Sequence, residues 1–103
     1  MARSCLCDRW LTRAAADLGF RALPPLARLL WFDILAAAMV GVEKGRLRFP
    51  CSVSAAVSRL VNRSETDVET DLVALVDLGW LYLDDDGRGI SLPGVQAAAA
   101  RVE

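Results

Sequence analysis

The sequence contains no histidine and only three cysteines among its 103 residues. The absence of histidine removes the side chain that most often acts as a general base near neutral pH. Cys5, Cys7 and Cys51 supply three thiols and Asp8 a carboxylate, but a zinc site normally has a second cysteine or histidine pair at defined spacing. No nucleophile elbow, phosphate loop or metalloprotease helix motif is present. We therefore expect a protein that is not an enzyme and holds no metal or other cofactor.

The chain also lacks an uncharged hydrophobic run long enough to cross a bilayer. Its most apolar window, residues 23–42, contains two prolines as well as Arg28 and Asp33. The uncharged part of that window, residues 34–42, is shorter than a membrane-spanning helix requires. Residues 1–10 have no apolar signal core. The sequence therefore predicts a cytoplasmic protein with no membrane partner.

Positive charge is scarce in the second half of the chain. Residues 1–63 carry ten Lys or Arg against four Asp or Glu, whereas residues 64–103 carry two against nine. Between Arg63 and Arg88 there are eight acidic residues and no basic one. Such an asymmetry favours a surface that faces a polyanion, self-association between surfaces of opposite charge, or both. A homo-oligomer is therefore one of the expected assemblies.

The hydrophobic periodicities predict a mainly helical α+β fold of one domain. We expect helices over residues 8–18, ended by Gly19, over residues 25–40, after the capping residue Ser52, and from Ser64 to Gly79. We expect strands over residues 46–49, 80–83 and 88–93, with the dipeptide Asp86-Gly87 as a hairpin turn. The core should join Val57, Leu60, Val68, Leu72 and Leu75, covered by Trp80 and Ile90. The helix over residues 25–40 is apolar almost all round, so it should also meet the N-terminal helix or a second copy.

The order of these elements is that of a winged helix-turn-helix, namely helix, strand, two helices and a β-hairpin wing. An extra helix or arm precedes it over residues 1–19, the winged-helix domain covers residues 20–94, and residues 95–103 form a short C-terminal helix or tail. The stretches "ALPPLARLLWFDILAAA", "GRLRF" and "SVSAAVSRLVNRSETDVETDLVALVDLGWLYLDDDGRGISLPG" carry a further likeness. They resemble the N-terminal winged-helix domains of bacteriophage replisome-organiser and DnaD-type replication proteins. Those domains share an "R-x-LW" in the first helix, a "GL" or "GW" after the third, and a "D-G" wing. The resemblance implies a phage-like or mobile-element protein that acts in DNA transactions.

The helix that would read DNA in this fold carries charge of the wrong sign for that task. Its face opposite the core presents Thr66, Glu69, Thr70, Val73 and Asp77. Affinity for a duplex comes largely from cations that neutralise phosphates, and Arg or Lys on guanine is the commonest specific base contact. The wing tip, residues 84–86, is acidic as well. These five side chains are therefore the predicted binding surface for a protein partner.

The candidate cations for DNA contact lie mostly in the first half of the chain. Arg46 and Arg48 should share one strand face, with Leu47 and Phe49 turned to the core. The predicted nucleic-acid-binding residues are Arg9, Arg13, Arg46, Arg48, Arg59, Arg63 and Arg88. The sequence favours a small non-enzymatic regulator or adaptor, in transcription or replication, that touches double-stranded DNA through this basic half. The alternative is a protein–protein interaction module that uses the acidic third helix and wing without touching DNA.

Overall fold

The computed structural model describes residues 12–40 and 45–92, which form five helices and one three-stranded antiparallel sheet. The predicted mainly helical α+β fold is confirmed for this part of the chain. Arg9, Cys5, Cys7 and the expected C-terminal helix over residues 95–103 lie outside it. Within the described ranges, no helix is both long enough and apolar enough to span a membrane. The helices and strands in chain order are α1 (residues 12–16), α2 (Leu18–Arg21), α3 (Pro25–Val40), β1 (Arg46–Arg48), α4 (Val53–Val61), α5 (Glu65–Asp77), β2 (Tyr82–Leu83) and β3 (Gly89–Ser91).

The N-terminal helix is interrupted, which the sequence did not indicate. We expected one helix through Leu18 that ends at Gly19; this was wrong, because Asp17 separates α1 from α2 and Gly19 lies within α2. Asp17 has an extended backbone, with φ −84° and ψ 119°, and its carboxylate accepts a 2.8 Å hydrogen bond from the Phe20 N–H. An Asp that caps a new helix competes with continuation of the old one. The break turns Phe20 into the core, where it is 2% exposed.

Helix α3 begins and ends where the sequence predicted, at Pro25 and Val40. One side of it is buried, and the Phe20 ring from α2 packs edge-on against Trp31 and Phe32 at centroid distances of 5.4 and 5.6 Å. This contact comes from α2, just beyond the helix predicted over residues 8–18, while Ala14 within that predicted helix is buried in the same core cluster. The expected contact with a second copy stays a prediction. The other side of α3 is open, with large exposed fractions at Leu26, Leu29 and Val40.

Local capping fixes the ends of α4 and α5, as expected. The Ser52 and Ser64 hydroxyls each accept a 3.2 Å hydrogen bond from the backbone N–H three residues on. At the end of α5, Gly79 adopts φ +77°. The Trp80 N–H donates to the Leu75 carbonyl at 3.0 Å, and the Gly79 N–H to the Val76 carbonyl at 2.9 Å. This pair of bonds is the Schellman arrangement, which satisfies carbonyls that the helix end leaves open.

The sheet has the strand order β1-β3-β2, with Leu47 opposite Ile90. Leu47 and Phe49 pack against the core, as their alternation with Arg46 and Arg48 predicted. The strands are shorter than expected. The prediction of a strand from residue 80 was wrong because the Trp80 N–H is already bound to the helix end, so pairing begins only at Tyr82.

One hydrophobic core joins the helices to the sheet. Val57, Val68, Leu72, Leu75 and Ile90 are almost completely buried, as predicted. Trp80 packs against this cluster, and its carbonyl accepts a 3.2 Å hydrogen bond from Nε1 of Trp31. The prediction that Leu60 belongs to the core was wrong, since this residue is 54% exposed. It lies in the last turn of α4, just before Asn62 adopts a left-handed conformation and redirects the chain into α5.

Candidate functional site

The five residues predicted to bind a protein partner lie together on the solvent side of α5. We call this set the acidic α5 face, and all of its members are exposed: Thr66, Glu69, Thr70, Val73 and Asp77. The opposite side of the helix buries Val68, Leu72 and Leu75 in the core. The Thr70 hydroxyl donates a 3.0 Å hydrogen bond to the Thr66 carbonyl, which leaves its methyl group as the part available to a partner. The core side of α5 therefore determines which side chains the helix presents.

The acidic α5 face is negative and has an apolar side chain at its centre. Glu69 and Asp77 form no ion pair with any residue in the described ranges. Val73, between them, is 53% exposed. The last turn of α5 has no basic residue, so the negative end of the helix dipole adds to the charge of Asp77. This surface complements a positively charged one.

A second group of charged side chains joins β1 to the β2–β3 hairpin. We call Arg46, Arg48, Asp84 and Asp86 the hairpin ion cluster. Asp84 Oδ2 lies 2.9 Å from Arg46 Nη2 and 2.6 Å from Arg48 Nη1. Arg48 also donates two hydrogen bonds to Asp86, from Nη1 to Oδ1 at 3.1 Å and from Nη2 to Oδ2 at 2.8 Å. Two-pronged contacts of this kind are the strongest geometry for an arginine and a carboxylate.

Strand register and one close approach build the hairpin ion cluster. Gly89 pairs with Arg48 across the sheet, and a side chain at Gly89 would overlap the Asp84 carboxylate. The loop is fastened to its surroundings, because the Gly87 carbonyl accepts a 2.8 Å hydrogen bond from the Val53 N–H at the start of α4. The cluster is thus fixed by backbone contacts as well as by charge.

The cluster shifts the pKa values of Asp84, Asp86 and Arg48. The hydrogen bond from Arg48, helped by the Arg88 N–H, lowers the pKa of Asp86 to about 2. The hydrogen bond from Arg48 also lowers the pKa of Asp84, with Arg46 adding to it and partial burial opposing it. In return, the hydrogen bonds to Asp86 and Asp84 raise the pKa of Arg48. Asp84, Asp86 and Arg48 therefore keep their charges near neutral pH, and the cluster contains as many carboxylates as arginines.

The other predicted cations are spread over separate elements. Arg13 is exposed on α1, Arg59 on the last turn of α4, and Arg88 in the hairpin loop. Arg63 points back over the fold, with Nη2 2.8 Å from Asp71 Oδ2 and Nη1 3.5 Å from the Leu26 carbonyl. The Asp71 contact is an ion pair by distance, although that oxygen accepts no well-aligned hydrogen bond. DNA contact through these residues is neither confirmed nor contradicted, so it stays a prediction.

Sequence reasoning missed the partners of three of these arginines. Asp84 and Asp86 hold Arg46 and Arg48, and Asp71 lies beside Arg63. A signal was present, because the predicted fold already placed the "RLR" strand next to an acid-rich hairpin.

No group of three or more potential metal ligands comes together within residues 12–40 and 45–92. Cys51 is half-buried. Cys5 and Cys7 lie outside the described residues, and the expectation that the thiols bind no metal stays a prediction.

No protein-family model, curated protein or solved structure matches this chain. The resemblance to phage replisome-organiser and DnaD-type domains therefore stays a prediction.

Proposed function

We propose that this chain is a non-enzymatic winged-helix module that binds a protein partner through the acidic α5 face. Helices α4 and α5 are joined by the short turn of residues 62–64, the layout of a helix-turn-helix. The β2–β3 hairpin follows α5 and pairs with β1, in the position of a wing. In this reading α5 corresponds to the helix that other members of the class place in the major groove.

The observation that carries the proposal is how the fold distributes its charges. The charged side chains of the acidic α5 face, Glu69 and Asp77, have no ion-pair partner among the described residues, whereas Arg46 and Arg48 are held by hairpin carboxylates. A DNA-reading surface needs accessible cations to replace the counterions of the phosphates. Here the cations beside the hairpin are already occupied, and the helix in the reading position would repel the duplex. A basic surface of a protein partner fits the same charges.

The chemistry of the acidic α5 face also defines its partner. Glu69 and Asp77 would pair with Lys or Arg, and the exposed Val73 and threonine methyl groups would fill a small apolar recess. Charged contacts at the rim of an interface set mainly the association rate and its salt dependence, while the apolar centre contributes affinity. We therefore expect binding that weakens as salt increases but does not vanish.

An NMR titration of the isotope-labelled chain tests the proposal, with a helical peptide carrying lysines and one leucine as the probe. The peptide should shift the backbone amides of residues 66–77 on the acidic α5 face. The double variant Glu69→Gln/Asp77→Asn should lower the affinity by about tenfold. Asp33→Asn/Asp85→Asn is the matched control, because it removes two other exposed acids that form no ion pair among the described residues. The affinity of this variant should stay near that of the wild type.

Short double-stranded DNA serves as the competing probe in a fluorescence anisotropy titration. We expect weak binding that the Glu69→Gln/Asp77→Asn variant does not reduce. If DNA binds well, and Arg13→Ala or Arg48→Ala weakens it while the peptide leaves α5 unperturbed, the chain is a DNA-binding protein and the proposal is wrong.

A further inference from the structure

The N-terminal helices and α3 line an open cavity of about 460 Å³ that is separate from the acidic α5 face. Its lining residues are Ala14, Ala15, Phe20, Arg21, Arg28 and Phe32. Ala14 and Phe20 form a closed apolar floor, since they are 0% and 2% exposed. Ala15 and Arg21 are exposed, and Arg28 and Phe32 are half-buried, so these four side chains can touch a ligand. The volume falls within the range of cavities that bind ligands or single anchoring side chains.

The two arginines of the cavity differ from those of the hairpin ion cluster. Arg21 and Arg28 form no ion pair within the described part of the chain. The Nε of Arg28 is buried and has no hydrogen-bond partner there. A buried donor without an acceptor costs free energy, and such a group in a native structure calls for an explanation. Because Nε is buried, a bound molecule would reach it only if the Arg28 side chain turned. The donors open to a ligand belong to the exposed Arg21 and to the exposed part of the half-buried Arg28.

We propose that this cavity binds a peptide segment of a protein partner in which a large apolar side chain stands next to a carboxylate. The apolar side chain would lie against Phe32 and Ala15, over the floor formed by Phe20. The carboxylate would accept hydrogen bonds from Arg28 and Arg21, since the planar guanidinium fork matches a carboxylate in shape and charge. A bare phosphate would use the arginines but leave the apolar walls without contact, so the walls favour the peptide.

The site therefore selects a ligand of the opposite charge from the one that the acidic α5 face selects. Arg21 and Arg28 attract acidic segments, whereas Glu69 and Asp77 repel them. Two binding surfaces with opposite charge preferences would allow this small domain to connect an acidic segment with a basic one. The proposal does not depend on the α5 face being a binding site.

The test is an NMR titration of the full chain with the peptide acetyl-Glu-Phe-Asp-Glu-amide. We expect a dissociation constant below about 1 mM and a shift of the Arg28 Nε–H resonance, which reports on a change at the Arg28 guanidinium. The Phe20 ring contacts Trp80 at a centroid distance of 4.7 Å and Trp31 at 5.4 Å, so tryptophan fluorescence gives a second readout. The same peptide with Ala in place of Phe, a lysine-rich version, and inorganic phosphate should each bind at least about tenfold more weakly.

Substitutions distinguish binding in the cavity from general electrostatic attraction of the peptide. Arg28→Gln should lower peptide affinity by about tenfold or more. Arg59→Gln is its control, because Arg59 is an exposed arginine of α4 that forms no ion pair within the described ranges, and its loss should leave the affinity unchanged. Ala15→Leu fills the opening without changing charge and should also block binding. The Glu69→Gln/Asp77→Asn variant should bind this acidic peptide as tightly as the wild type does.

Three results would overturn the inference. An unmoved Arg28 Nε–H resonance at saturating peptide would show that the cavity is unused. Equal losses in Arg28→Gln and Arg59→Gln would show charge attraction alone. Phosphate or the Ala peptide binding as well as the Phe peptide would show an anion site without an apolar subsite. None of these results bears on whether the basic peptide binds α5.

Discussion

At the scale of single residues, what an arginine can bind depends on which carboxylates the fold places beside it. Arg48 contacts both Asp84 and Asp86, and Arg46 shares Asp84 with it. Arg21 and Arg28 have the same chemistry but no carboxylate within ion-pair distance in the described residues. The first pair is therefore structural, and the second pair is open to a ligand.

The lowered pKa of Asp86 predicts how stability depends on acid. Its ordinary pKa is 3.8, and in the folded protein it is about 2 because Arg48 binds the carboxylate. A group whose pKa is lower in the folded state stabilises the fold fully above its unfolded value. That contribution should be lost as pH falls from about 4 to about 2. Arg48→Gln should remove much of this dependence. Carboxyl NMR and denaturation at each pH measure both effects, and an Asp86 that titrates normally in the wild type contradicts the prediction.

The close approach between Gly89 and the Asp84 carboxylate can be tested by substituting this single glycine. A methyl group at position 89 would overlap the Asp84 carboxylate and approach Arg48 Cδ to 2.9 Å. We expect Gly89→Ala to lower the free energy of unfolding by about 1–3 kcal/mol, as overpacking usually does. Denaturant unfolding measures the loss. In an Asp84→Ala background the obstacle is gone, so the same change should cost much less; an unchanged cost would refute the overlap.

At the scale of elements, the ends of α5 hold the acidic α5 face in place. Ser64 caps the first turn, and the Schellman bonds at Leu75 and Val76 close the last one. The same turn brings Trp80 onto the core, where its ring packs at 5.0 Å from that of Trp31. One helix end thus sets both the length of the presented face and the start of the hairpin.

Gly79→Ala tests the closing turn. An L side chain at φ +77° is strained, and a left-handed conformation costs about 1–2 kcal/mol for a residue with a Cβ. We expect a loss of that size in the free energy of unfolding, measured with denaturant. Asn62→Gly is the control, because Asn62 already tolerates φ +55° and should lose little. Equal effects of the two changes would argue against strain at Gly79.

At the scale of the whole molecule, α5 packs against both α3 and α4 and lines a single core. The side chains at Leu72 and Leu75 are 1% and 0% exposed, whereas Val73 between them is 53% exposed. Stability and the proposed binding therefore depend on neighbouring positions of one helix. A substitution on the buried side of α5 should lower the stability of the fold. A substitution on the acidic α5 face should instead affect the proposed binding.

Leu72→Ala and Val73→Ala should separate these two roles. Truncation of the buried leucine should cost about 2–5 kcal/mol, through lost burial and the cavity left behind. Truncation of the exposed valine should change stability by no more than about 0.5 kcal/mol. It should, however, weaken the binding of the basic peptide. Denaturant unfolding and the peptide titration measure the pair. Similar stability losses at both positions would contradict the placement of α5.

The sequence by itself determined the features that local chemistry controls. The bounds of α3, the caps at Ser52 and Ser64, the Gly79 stop and the inward alternation of Leu47 and Phe49 all follow from interactions within a few residues along the chain. The same periodicity identified the side chains that α5 presents.

Only the tertiary structure decided which distant groups meet. Arg48 and Asp86 are 38 residues apart in the chain, and their contact depends on how β1 pairs with the hairpin. The exposure of Leu60 depends on how the end of α4 sits on the core, and the cavity at Arg28 depends on the break that Asp17 makes before α2. Helical periodicity predicts the side of an element that faces the core but not how far the neighbouring element extends over it. Charge counts predict a basic half of the chain, but packing decides which cations are neutralised and which stay open to a ligand.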